Sequence, residues 1–241
     1  ATLRFLCVND AAIAAYGYPS DKFLSMSFTD ILPLEEKNRL QASVQSGKAF
    51  CQSGETWRYL QANGSLVDCA IYSRSLTYEG HDAVISAAID ISERKRAEER
   101  IAYLAQHDVL TGLLNRAAFT EHLQRAFSLA YGESFAVLCM DLDGFKEIND
   151  FFGHSIGDSL LQRASRRLAD ACEDAFVARV GGDEFIAIVS QGVQPTTVKK
   201  LCNGLVRTVS EPYEIEGNKI SISLSIGAAV FSTDGSTPAT L

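Results

Sequence analysis

Apolar and polar positions along the chain change period several times. Leu3–Val8 (LRFLCV) is a short apolar run of strand type. Asn9–Tyr18 (NDAAIAAYGY) has helical spacing that stops near Gly17 and Pro19. Ser20–Pro33 reads as capped, irregular helical material, and Glu35–Gly47 as a polar-faced helix closed by Gly47. Three strand candidates follow: Glu55–Gln61, Leu66–Tyr78 and Asp82–Ile91. Asn63–Ser65 and Glu79–Asp82 supply the hairpin turns between them. Short helices followed by an antiparallel meander give an α+β unit over residues 1–92.

The stretch SERKRAEERIAYLAQHD breaks that pattern. It is charged, lacks glycine and proline, and pairs Arg with Glu three or four residues apart, so it reads as a helix over residues 93–107, capped by Ser92. Its apolar seam (Ile91, Ile101, Leu104) is sparse, which leaves open a solvated linker or a short parallel coiled coil. Residues 108–241 form a further unit. It reads helix (116–130), strand (Phe135–Leu142), two helices, strand (Ala175–Val180), strand (Asp183–Ser190), helix (Thr196–Val209) and strand (Lys219–Phe231). That order predicts a mixed sheet covered by helices.

Composition narrows the function. The net charge of −8 argues against a general polyanion binder, so nucleic acid is not expected as a partner. It leaves room for a phosphorylated small molecule, because Mg²⁺ can bridge phosphate to carboxylate. The six cysteines are scattered, without a CxxC pair, and read as buried free thiols in a reducing compartment. No apolar run reaches the roughly 18 residues of a membrane span. The stretch is therefore read as cytoplasmic, with a membrane anchor in a longer parent left open.

Two acidic clusters carry candidate chemistry. In FVARVGGDEFIAIVS, Gly181–Gly182 explains itself as a tight turn, but the turn does not explain Asp183 and Glu184 at the start of the next strand. In LCMDLDGFKEINDFFGHSIGD, an apolar strand ends in Asp141 and Asp143. These acids are either solvated turn residues or ligands for a hard cation, with the Leu142 carbonyl as a further oxygen. Lys146 and the amides opening the next helix suit phosphate. Asn149 offers donor and acceptor, Asp158 can accept two hydrogen bonds as a guanine edge offers them, and His154 flanks the same turn. Singly, Lys146 is a surface charge, Asn149 a helix-end residue and Asp158 a cap after Gly157. Together they describe a purine-triphosphate pocket.

Two resemblances follow from these residues. FLCVNDAAIAAYGYPSDKFLSMSFTDILP, NGSLVDCAIYS and DISERKRAEE over about residues 3–92 resemble a PAS domain without its usual first strand. In such domains the element corresponding to Asp90–Ser92 ends the last strand and launches a signalling helix. No PAS cofactor is assigned: His81 lies in a turn, Cys51 and Cys69 lack a flavin-adduct context, and packing accounts for Trp57 and Tyr59.

HDVLTGLLNR, DLDGFKEINDFFGHSIGD, RVGGDEF and SIGAA over residues 107–241 resemble the GGDEF family, whose typical activity is diguanylate cyclase. The resemblance implies a palm-type nucleotidyl-cyclase fold, of βααββαβ order. It implies Mg²⁺, or Mn²⁺ in its place, on Asp141, the Leu142 carbonyl and Asp183. It places Phe145 and Lys146 at phosphates, and Asn149, His154 and Asp158 at guanine. Gly181 and Gly182 would admit the substrate, and Glu184 would lie at the metal edge beside Asp183, assisting deprotonation, with the choice of base between the carboxylates left open. It further implies two GTP condensed to cyclic di-GMP by a homodimer. The alternative is a silent GTP-binding regulator of a downstream EAL phosphodiesterase domain in the parent. Two departures stand out. The family's RxxD product site would fall on Cys172 and Ala175, with Asp174 one residue out of register, so inhibition through it is not expected. A phosphate-binding lysine and arginine that usually follow lie past Leu241, which would weaken or silence the stretch on its own.

Overall fold

The computed structural model describes residues 2–45, 53–129, 134–172, 175–190, 193–231 and 233–235. Gly47, Cys51, Asp174 and the tail 236–241 lie outside them. The chain divides into two compact units, Ala1–Glu99 and Arg100–Leu241.

The first unit opens with α1 (Asp10–Tyr16), α2 (Ser20–Ser25), a 3-10 turn (Phe28–Ile31) and α3 (Leu34–Gln45). Asn9 accepts from the Ala12 amide at 2.9 Å and starts α1, and Gly17, at φ 75°, closes it. Ser27 and Asp30 form a reciprocal capping box at the 3-10 turn. Strands β1 (Ser53–Leu60), β2 (Leu66–Tyr78) and β3 (His81–Asp90) make an antiparallel meander in chain order. Trp57 pairs with Cys69, and alternation puts Trp57, Tyr59, Cys69 and Ile71 on one face, packed on Met26, Ile31, Leu32 and Leu40. His81 starts β3 and is exposed. The strand expected at Leu3–Val8 does not form. Leu3 takes a φ of 54°, and only the single bridge Arg4–Ser27 remains of a ladder.

Helix α4 (Ser92–Gln106) contains the boundary between the units. Its start differs from the expected cap. Asp90 accepts the Ser92 amide at 2.8 Å, which frees the Ser92 hydroxyl to accept from the Asp68 amide at 3.2 Å. Lys95 then pairs with Asp68 at 2.7 Å. Ile101 and Leu104 are both exposed but Ile91 is buried, so only the later part of the sparse seam faces outward.

The second unit contains α5 (Arg116–Leu129), β4 (Ala136–Asp143), α6 (Phe145–Phe152), α7 (His154–Ala171), β5 (Ala175–Gly181), β6 (Glu184–Val189) and α8 (Pro195–Val209). It ends with β7 (Tyr213–Ile215), β8 (Asn218–Ile220) and β9 (Ser223–Val230). The main sheet has the order β5-β6-β4-β9, and every neighbouring pair is antiparallel. This corrects the expectation of a mixed sheet. Each helical crossover does join parallel strands, but an antiparallel strand always lies between them: β6 separates β4 from β5, and β4 separates β6 from β9. The result is a split βαβ arrangement. The long strand expected over Lys219–Phe231 is two strands. Residues 218–220 pair instead with β7 around a Glu216–Gly217 turn with positive φ at both positions.

Alternation along β4 sets up the site. Ala136, Leu138, Met140 and Leu142 are buried against Leu160, Leu161, Ala164 and Leu168 of α7. Cys139, Asp141 and Asp143 take the opposite, open face. The expectation of buried thiols holds for Cys69 and Cys172 but not for Cys7 and Cys139, which are exposed.

Candidate functional site

The two acidic clusters, some forty positions apart, meet at one end of the sheet. Asp141 stands directly opposite Glu184 on β6 and Ser225 on β9, so the three share a face. Gly182 and Asp183 form the turn between β5 and β6, and the Leu142 amide donates to the Asp183 carbonyl at 3.3 Å. Asp141, Leu142, Asp183 and Glu184 are thus brought together. Burial and the charges of Asp183, Asp143 and Glu184 raise the Asp141 carboxyl above its ordinary range. That uncompensated charge, on oxygen donors, fits a hard divalent cation. Among the described residues, no three His, Cys, Asp or Glu side chains enclose a metal by themselves, so the ion's remaining ligands would come from a carbonyl and from phosphate.

Asp143 behaves differently from its neighbours. Its two oxygens accept the hydroxyls of Ser223 and Ser225, each at 2.7 Å. Those bonds, Ser225's first, hold its carboxyl below the usual range. Asp143 is therefore an exposed acid at the end of β4 held by two hydroxyls, not an Asx-type cap.

Next to the acids, Gly144 at φ 80° turns the chain into α6, and no side chain caps that helix. The Phe145 side chain is buried in the core, so only its backbone is available to a phosphate. Lys146 is exposed one residue on. Asn149 lies against α7: a Cβ on Gly157 would sit 1.9 Å from its Oδ1. Gly157 therefore lets α6 and α7 approach, and Asp158 and His154 follow on the exposed first turns of α7. Asp158 is inside the helix, not a cap after Gly157. Gly181 and Gly182 have φ of 153° and 52°, and a Cβ on either would meet nothing within 4 Å. The space beside the turn is open. An open groove of about 550 Å³ runs along the same face, lined by Cys139, Asp141, Glu184, Ile186, Ser225 and Gly227.

Several residues bracing the turn carry no site signal of their own in the sequence. Arg179 donates through Nε and Nη2 to the Gly182 carbonyl at 2.8 and 2.7 Å, and through Nη1 to Asp108 at 2.9 Å. Asp108 also accepts the Thr111 amide and hydroxyl, at 2.9 and 2.6 Å. Burial alone would raise its carboxyl, but these bonds and the Arg179 charge hold it below the ordinary range. Arg116 donates to the Val180 carbonyl at 3.2 Å. Asn115 caps α5 at the Ala118 amide and donates to the Ala105 carbonyl at the end of α4. The segment HDVLTGLLNR is thus a brace between α4, α5 and the hairpin. Its Asp-x-x-Thr pattern and its Asn before a helix were the legible traces.

An antiparallel split βαβ sheet here carries acids gathered on one hairpin and one strand end. The family follows from comparison. Residues 105–241 match the model described as diguanylate cyclase, GGDEF domain, and the chain belongs to that family. It is 43% identical over 157 residues to an uncharacterised signalling protein of Caulobacter vibrioides, covering 64% of this chain and 19% of the relative. It is 41% identical over 145 residues to the bifunctional diguanylate cyclase/cyclic di-GMP phosphodiesterase MucR of Pseudomonas aeruginosa, covering 59% and 21%. A crystal structure of a sensory box/GGDEF family protein from Caulobacter crescentus superposes with a TM-score of 0.51 at 42% identity, over 54% of this chain and 86% of that one. The chain spans about a fifth of the length of these two curated relatives. Among the described residues, no helix is long and apolar enough to cross a membrane.

Proposed function

We propose that the chain is the regulatory and cyclase portion of a diguanylate cyclase, which condenses two GTP into cyclic di-GMP and two pyrophosphates. The observation that carries this reading is the convergence of Asp141 with Asp183 and Glu184, from separate parts of the sequence, at one sheet end. Asp141, Asp183 and the Leu142 carbonyl would hold Mg²⁺, which when bound neutralises phosphate charge and acidifies the attacking hydroxyl.

The chain's own residues do the rest. Lys146 and the uncapped amides opening α6 bind the triphosphate. Asn149, kept close to α7 by Gly157, and Asp158, with His154 beside them, orient guanine. Gly181 and Gly182 leave room for the substrate against the backbone. Glu184, opposite Asp141, accepts the proton as the 3′-oxygen of one GTP attacks the α-phosphorus of the other and pyrophosphate leaves. Each domain holds one GTP, so turnover needs two copies face to face. On this reading residues 1–92 are a PAS-like sensor, α4 is the signalling helix through residues 93–107, and residues 108–241 are the GGDEF domain. The exposed Ile101 and Leu104 would serve pairing of α4 between copies.

Product analysis with GTP and Mg²⁺ tests this, beside Asp183→Ala. Cyclic di-GMP from the parent chain and at least about 100-fold less from the variant is the expected result. GTP binding without product would instead favour a silent regulator of a downstream phosphodiesterase domain.

A further inference from the structure

The end of β4 is poorly supported by its own ladder. Pairing with β6 stops at Asp141–Glu184, whereas pairing with β9 continues through Leu142–Leu224 to Asp143–Ser223. Leu142 and Asp143 therefore have a strand neighbour on one side alone, beyond the single bond from the Leu142 amide to the Asp183 carbonyl. That short stretch includes the carbonyl assigned to the ion and follows directly on Asp141. Leu142 is anchored by its side chain in the core, and Asp143 is tied by side chains of β9. Ser223 and Ser225, two residues apart on one face of β9, each donate a hydroxyl to a different oxygen of Asp143 at 2.7 Å.

We propose that Ser223 and Ser225 are positioning residues of the cation site, acting through Asp143 to fix the end of β4. The inference rests on the cyclase reading and deepens it. Two consequences follow from the geometry. The strand end is held at its side chain as well as its backbone, which fixes Asp141 and the Leu142 carbonyl relative to Asp183. Asp143, with both oxygens engaged by donors, is also kept from competing with Asp141 for the ion. Partners bonded directly to a metal ligand typically contribute about 10- to 100-fold to metal affinity, and a tie one step further out belongs at the lower end of that range.

The test is Mn²⁺ uptake by the 241-residue chain, read from the electron paramagnetic resonance signal of free Mn²⁺. It is run in the presence of guanosine 5′-[α,β-methylene]triphosphate, which cannot release pyrophosphate. The double variant Ser223→Ala/Ser225→Ala should raise the Mn²⁺ half-saturation about tenfold. Asp143→Asn should do the same to a similar degree, and Ser225→Thr, which keeps the hydroxyl, should stay near the parent. If Asp143 were itself a ligand, removing the serines would leave binding equal or tighter while Asp143→Asn abolished it, and the proposal would fall. Unchanged half-saturation in the double variant overturns it too. Should that variant not fold, Ser225→Ala against Ser225→Thr decides, and equal behaviour of the two sinks the idea. A parent chain that takes up no Mn²⁺ with the nucleotide removes the cation assignment to Asp141, Leu142 and Asp183, and this inference with it. Parent uptake with indifferent variants removes the inference alone.

Discussion

Arg179 joins Asp108 to the Gly182 carbonyl: one guanidinium donates to the Asp108 carboxylate at 2.9 Å and, with its other two nitrogens, to the turn at 2.8 and 2.7 Å. The residues lie far apart in sequence, and the pair is largely shielded, with the Arg179 side chain 12% exposed and that of Asp108 24%. A planar fork suits this double duty, which an ammonium cannot reproduce.

Arg179→Ala should therefore lower stability by about 1–3 kcal/mol, the range for losing charge-assisted hydrogen bonds that are partly shielded. Arg179→Lys should recover only part of it. Urea unfolding of the three proteins measures this. Under the cyclase reading, turnover should fall further than the stability loss accounts for, because the turn bearing Asp183 loses its anchor. Equal stability of Arg179→Ala and the parent would show that the clamp is dispensable.

Asp108 gives the clamp a pH signature. Its folded carboxyl is held below the ordinary range, so its contribution is complete above the unfolded value of about 4 and is lost as pH falls through the folded one. The parent should lose stability on acidification below about pH 4 more steeply than Asp108→Asn. Urea midpoints between about pH 6 and 3 provide the comparison. Parallel curves would mean that the pair carries no ionic stabilisation.

Gly157 and Gly204 should respond oppositely to alanine. Both lie inside helices, where alanine is ordinarily favoured by about 1 kcal/mol. A methyl group on Gly204 would meet nothing within 4 Å, so Gly204→Ala should stabilise. At Gly157 the methyl would sit 1.9 Å from Asn149 Oδ1, so Gly157→Ala should destabilise by about 1–3 kcal/mol through overpacking. Under the cyclase reading it should also weaken GTP binding by displacing Asn149. Thermal unfolding and nucleotide titration of both variants check the two halves separately.

Cyclic di-GMP should not inhibit through the face that holds Cys172 and Ala175. Cys172 is buried, and burial with a neighbouring Cys202 pushes its thiol up to about 11, so it offers neither the charge nor the donors of an arginine. Initial rates of GTP turnover with and without added product should agree. Inhibition relieved by substitutions at this face would contradict the expectation.

Much of the molecule was legible in the sequence because local chemistry specifies it. The end of α1 was legible at Gly17, and the hairpin turns at Glu79–Asp82 and at Gly181–Gly182, the latter one residue ahead of the turn that forms. An apolar strand ending in Asp141 and Asp143 was legible at β4, and the structure then showed which of its residues take the open face. The two acidic clusters announced themselves as carboxylates where an apolar strand has no use for them. Other facts had no local trace. The strand order β5-β6-β4-β9 depends on which strands each crossover skips, and so the all-antiparallel pairing was invisible. Leu3–Val8 has strand composition but keeps only a single bridge in place of a ladder, and the final apolar run splits because β7 pairs with its first residues. The roles of Asp108, Arg179, Gly157, Ser223 and Ser225 are relations between distant residues. Sequence determined which residues could bind, turn or bury. The tertiary structure decided which of them touch, because hydrogen bonds and packing act over a few ångströms in space, whatever their separation along the chain.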